Sequence, residues 1–134
     1  MYKTTVEALT MEITGPGSTR LTWKGNAGEA SLKAMREFGA KVREEVGPNA
    51  FVKALVDARE ATGLDRKARK EMTELGREKP WDRMAFVGVR FEVKVMVELV
   101  IRALQVLRIK TAEVAFLDTE EEAVEWLDRP RAEA

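Results

Sequence analysis

Asp57 closes a nearly all-apolar run over residues 50–56. The C-terminal ends of buried strands are where open α/β sheets place ligands, so this carboxylate is the first candidate for chemistry. Arg66, Lys67, Arg69 and Lys70 then put four positive charges into five residues. Such a run can meet an acidic partner, a nucleotide phosphate or an anionic headgroup, or simply form a solvated face. Gly88, at the end of another apolar run, could bring backbone close to a phosphate. No GxGxxG or GxxxxGK[ST] surrounds it, however, and a tight turn is the simpler reading.

Two zeros bound the chemistry further: the chain has no His and no Cys. Ser-His-Asp and Cys-His nucleophiles, imidazole or thiolate zinc sites, CxxC redox pairs and disulfides are thereby excluded. Carboxylates remain. A lone Asp at a strand end is ordinarily a cap or a salt-bridge partner, and a two-carboxylate hydrolase needs a deep cleft that a compact domain of 134 residues seldom builds. The expectation is a protein that binds, with no catalytic residue and no thiolate or imidazole metal site.

The elements that position these residues follow from periodicity. Residues 5–14 alternate, with Leu9, Met11 and Ile13 on one face, and residues 20–24 alternate again around Leu21 and Trp23. The turn residues Gly15, Pro16, Gly17 and Ser18 between them predict an antiparallel hairpin. From residue 27 to 46 the period changes: Ala30, Ala34, Phe38 and Val42 recur every four positions on an amphipathic helix, with Gly39 its local weakness. Gly47 and Pro48 stop it. Residues 50–56 predict a strand buried on both faces, as in a parallel sheet. A loop follows to Asp65, which caps a helix ended by Gly76 and Pro80. Residues 84–88 predict a second buried strand, and residues 112–117 a third. Thr119 and Glu122 then have capping-box spacing at the start of a last helix.

Residues 91–107 fit two patterns. Phe91, Val93, Val95, Val97 and Leu99 alternate as in a strand, whereas Lys94, Glu98, Arg102 and Gln105 form a helical polar stripe. Seventeen residues is long for a strand, so the length selects a helix. Twelve of the seventeen are apolar, more than a one-sided surface helix needs. Phe91, Val95, Leu99 and Val100 would then meet a second subunit, an apolar small ligand, or a thick local core.

The resulting order, β-β-α-β-α-β-α-β-α, predicts an α/β fold: a mostly parallel sheet with an N-terminal antiparallel hairpin. Composition agrees, at 45% apolar and 34% charged residues in 15.1 kDa, and one domain over residues 1–128 with a polar tail at 129–134 is expected. Lys plus Arg and Asp plus Glu are both 23, which removes the electrostatic footprint of a nucleic-acid binder. Residues 118–134 carry seven acids and two bases, the complement of the basic run. The most apolar stretch is too short and too often interrupted to span a bilayer, and no signal-peptide pattern opens the chain. A cytoplasmic protein with no integral membrane segment is the expectation.

The element order, the strand end Leu55-Val56-Asp57-Ala58-Arg59, and residues 84–88 and 114–127 resemble the STAS-like (SpoIIAA-like) superfamily, and in particular its small stand-alone STAS/Sec14-like domains. The resemblance implies a SpoIIAA-like (STAS/CRAL-TRIO-like) fold, no cofactor, and action through a protein partner. It also implies a phosphoacceptor hydroxyl at the start of the helix after the central strand. Glu60-Ala61-Thr62-Gly63-Leu64 stands there, with Thr62 its hydroxyl, although Ala61 replaces a first hydroxyl of the family motif and the loop is short. A phosphoryl group on Thr62 would place about two negative charges near Arg59 and Arg66. The partner surface implied is Asp57, Arg59, Thr62 and Gly63 with Arg66, Lys67, Arg69 and Lys70, and the protein is expected to form a homodimer. The other reading is a Sec14-like carrier of a lipid or other apolar small ligand.

Overall fold

The computed structural model describes residues 3–130. The six strands lie in one sheet in chain order: β1 (Lys3–Val6), β2 (Leu9–Gly15), β3 (Ser18–Ala27), β4 (Lys53–Leu64), β5 (Arg83–Val87) and β6 (Glu113–Leu117). β2 runs antiparallel to both of its neighbours, β1 and β3, and β3 to β6 are parallel. The helices are α1 (Glu29–Val46), α2 (Arg66–Glu78), α3 (Phe91–Val106) and α4 (Glu120–Leu127). The α/β sheet with an antiparallel N-terminal edge is as expected, and the ambiguous run after residue 90 is helical.

The N-terminus holds one strand more than the sequence suggests. The run expected to be a single strand breaks at Glu7 and Ala8, where Glu7 takes a left-handed φ of 50°. Without Gly, Pro or Asn at that turn, nothing local announces it. The expected tail is described only through Pro130; residues 131–134 lie outside the described residues.

Alternation along the strands sends side chains to two unequal layers. Met11, Leu21, Val56, Met84 and Phe86 face the main core beneath α1, α2 and α3, joined by Leu32, Phe38, Val93, Val97 and Leu104 from the helices. Leu55, Ala85 and Val87 face the other way, against Ala123 and Leu127 of the short α4. Burying a side chain such as Leu or Val contributes about 1.5–3 kcal/mol, so the three-helix face dominates stability.

Gly39, in mid-α1, has a packing reason. A Cβ there would lie 2.8 Å from Pro80 Cγ and 3.0 Å from the ring of buried Trp81. Helix propensity favours Ala over Gly by about 1 kcal/mol, while overpacking costs about 1–3 kcal/mol. We expect Gly39→Ala to lose about 1 kcal/mol in urea unfolding; a gain in stability would show that α1 can move off Pro80.

Candidate functional site

β4 is twelve residues long and outruns β5, which stops at Val87 opposite Asp57. The segment expected to be a loop therefore stays extended to Leu64. The reason is β3, which continues to Ala27 and supplies β4 with a ladder partner as far as Leu64. Thr62 sits within this strand, at a register shift between the pairs Gly25–Ala61 and Asn26–Gly63. Its side chain is exposed, but it precedes the α2 cap by three residues and does not open the helix. Gly63 packs so tightly on Asn26 that a Cβ would lie 2.7 Å from Asn26 Oδ1.

Asp57 and Arg59 lie on the α4 face of the sheet. Arg59 Nε donates to Asp57 Oδ1 at 2.9 Å and its Nη2 to Oδ2 at 2.7 Å, a two-pronged pair. Arg20, on β3, reaches Asp57 Oδ2 at 3.4 Å and also pairs with Glu120, the first residue of α4. Arg59 reaches Glu120 as well, at 3.2 Å. Two cations and two carboxylates thus close a ring joining β3, β4 and the N-terminus of α4. Hydrogen bonding to Arg59 holds the Asp57 carboxyl below its ordinary range, and the bond from Arg20 does the same for Glu120. Arg20 and Arg59 are held more firmly protonated by the same contacts. A carboxylate so occupied is a poor general base, and the arrangement ties α4 to the sheet rather than offering a proton.

Gly88 touches this ring. It has φ +64°, and a Cβ on it would lie 2.4 Å from Arg59 Cγ. The turn expected here from sequence alone also makes room for the Arg59 stem.

The basic residues occupy a different place. Asp65 caps α2, its Oδ1 accepting from Ala68 N at 2.9 Å. Arg66, Lys67, Arg69 and Lys70 follow, all exposed, and none has an ion-pair partner among the described residues. Other cations do find carboxylates: Arg36 binds Glu71 and Glu78 from α2, and Arg43 binds Asp82 at 3.0 Å. The expected partner surface therefore divides into a self-satisfied ring at Asp57 and Arg59 and an unpaired basic turn at the start of α2.

Along α3 the expected association residues also divide. Phe91 and Leu99 are exposed and Val95 is half-buried, but Val100 is buried in the main core with Val93, Val97 and Leu104. A helix turns 100° per residue, which carries Val100 to the side opposite Val95 and corrects its assignment to the outer face. The excess apolar content thus serves both a core face and an outer stripe.

Sequence reasoning missed Arg83. It is 5% exposed, between the rings of Phe51 (5.2 Å) and Trp126 (5.6 Å), and donates to the carbonyl of Arg129 at 2.6 Å. Among the described residues its Nε has no hydrogen-bond partner, though the Glu113 carboxylate lies 3.7 Å from it. Stacking on two aromatic faces and carbonyls after α4 stabilise the cation there. The preceding Asp82 and the apolar run after Arg83 gave no sign of this. Among the described residues no helix is long and apolar enough to cross a membrane, and no group of three acidic, His or Cys side chains could hold a metal.

A family model described as SpoIIAA-like matches residues 21–128, from the middle of β3 to the end of α4. The chain belongs to the SpoIIAA-like family. No curated protein matches it significantly. Solved structures agree on the fold. An uncharacterized protein with a SpoIIAA-like fold from Shewanella loihica is similar at 21% identity and a TM-score of 0.57, covering 90% of this chain and 92% of its own. The anti-sigma factor antagonist SpoIIAA in its unphosphorylated form is similar at 11% identity and a TM-score of 0.56, covering 90% of this chain and 97% of its own.

Proposed function

We propose that this SpoIIAA-like domain is a non-catalytic binding module that acts by protein–protein contact and associates with itself. The partner surface is the first turns of α2, and the partner presents acidic side chains. One observation carries this reading: Arg66, Lys67, Arg69 and Lys70 are exposed and have no ion-pair partner among the described residues, on a chain whose formal net charge is zero. Cations at a helix N-terminus oppose the macrodipole, so they gain more from an outside anion than from their own helix. Asp57, Arg59 and Glu120 are spent on one another, which supports a structural part for them in fixing α4.

The carrier reading has one feature in its favour, an apolar cavity between α2, α3 and the sheet lined by Met72, Leu75, Trp81, Val97 and Leu104. Its volume is about 60 Å³. An apolar cavity of about 150 Å³ holds a single benzene, so an acyl chain would require α2 and α3 to part. We expect native mass spectrometry of the purified protein to show no co-purifying lipid mass; such a mass would favour the carrier.

Fluorescence anisotropy with a labelled poly-glutamate peptide tests the binding surface. The expected result is binding that weakens with salt and falls at least about tenfold when Arg66, Lys67, Arg69 and Lys70 are all changed to Glu. Equal binding by the variant, or a hydrolytic turnover lost in Asp57→Ala, would overturn the proposal.

A further inference from the structure

α3 turns Val93, Val97, Val100 and Leu104 into the core. On its outer side Phe91, Val95, Leu99 and Val106 form a second apolar stripe along the whole helix. Three of these are strongly exposed, at 75% for Phe91, 55% for Leu99 and 81% for Val106. Ala103 is exposed on the same side. Two charges interrupt the stripe, Glu92 and Arg102, both exposed and without an ion-pair partner among the described residues.

The order of these residues is self-complementary. When α3 is laid antiparallel on a second α3, with the two-fold axis at the level of Val97, Glu92 faces Arg102 of the other copy and Arg102 faces Glu92. In the same register Val95 meets Leu99, and large Phe91 meets small Ala103. Moving the axis one residue either way sets Arg102 against Arg90 or Lys94, a like charge, and moving it two residues leaves it opposite Gly88 or Met96 with no carboxylate. We propose that the outer face of α3 is a two-fold homodimer interface, with a second copy of this chain as its occupant and two reciprocal Glu92–Arg102 ion pairs fixing its register. An isologous contact needs each patch to be complementary to itself, which this spacing of opposite charges around an apolar centre provides. The inference rests on the self-association in the proposed function and specifies its geometry.

Sedimentation velocity of the full chain over a dilution series tests it, with circular dichroism to verify that each variant is folded. The wild type sediments as a dimer. Glu92→Arg or Arg102→Glu alone sets like charges opposite each other twice and raises the dissociation constant at least about tenfold. The two together restore it to within about threefold of the wild type. Leu99→Glu gives a monomer. A wild type that stays monomeric at high concentration overturns both this inference and the self-association behind it, and flotation of that monomer with phosphatidylcholine vesicles would reassign the stripe to a lipid surface. A dimer indifferent to the charge swaps overturns only the α3 register.

Discussion

Trp81→Ala should destabilise the domain by about 3–5 kcal/mol, the range for truncating a large buried aromatic side chain. Trp81 is 1% exposed and stands just before β5, where the chain enters the sheet. Its ring lies 6.3 Å from that of Phe38 and lines the cavity between α2 and α3, so truncation enlarges a void that already exists. Its Nε1 donates to Thr19 Oγ1 at 3.0 Å, and that hydroxyl donates to the carbonyl of Lys53 at 3.0 Å. The relay joins β3, β4 and the entry to β5. Losing the indole leaves the buried Thr19 oxygen without its donor, which adds to the cavity cost. For a domain of this size the drop corresponds to about 12–20 °C in Tm. Trp81→Phe keeps most of the volume and loses only the N–H, so it should cost about 1–3 kcal/mol. Differential scanning calorimetry distinguishes the two; equal Tm values for Trp81→Ala and the wild type would mean that the α1 to β5 packing is wrong.

Acid should unfold the protein more readily than its neutral formal charge suggests. Four carboxyls, Asp57, Glu78, Asp82 and Glu120, are held below their ordinary values of 3.8 for Asp and 4.5 for Glu. Hydrogen bonds from Arg59, Arg36 and Arg20 are the main cause for Asp57, Glu78 and Glu120. At Asp82 burial opposes ionisation, and bonds from Val52 N at 2.8 Å and Arg43 at 3.0 Å outweigh it. A folded-state value below the unfolded one means that the unfolded chain binds more protons in this range, so stability falls as pH falls. The contribution is complete above about 4.5 and is lost progressively as pH drops through the folded values. The urea midpoint should hold between pH 7 and pH 5 and then drop steeply toward pH 3. Asp57→Asn should lower the neutral plateau and flatten part of the acid limb. A midpoint unchanged at pH 3 would show that the Arg20–Asp57–Arg59–Glu120 ring is not formed in solution.

The residues differ in how much of their role could be read locally. Asp65 and Thr119 are legible caps: each has a short polar side chain before an amphipathic run, and each accepts from the backbone N–H three residues on. Glu122 departs from a full capping box, since its Oε1 lies against Thr119 Oγ1 at 3.1 Å. The α3 helix was legible from length, because seventeen residues of mixed pattern exceed an ordinary strand. Thr62 and Val100 were placed differently by the fold. Thr62 is held extended because its neighbours Ala61 and Gly63 pair with Gly25 and Asn26 of β3, more than thirty residues earlier. Composition groups Val100 with Phe91 and Leu99, whereas its angular position on the helix sends it inward.

Periodicity and turn chemistry alone determined the alternation of strand and helix, the antiparallel start and the parallel remainder, and composition excluded His- or Cys-based chemistry. These depend on neighbours within a few positions, where side-chain spacing and backbone preference act directly. Tertiary structure decided the rest: how far β4 runs, which charges are spent on each other, and which face of α3 stays bare. Glu120 meets Arg20 across 100 positions of chain, and only the packing of α4 on the opposite face of the sheet brings them within reach. Coulombic and hydrogen-bonding partners are chosen by distance in space, and a linear sequence does not contain that distance.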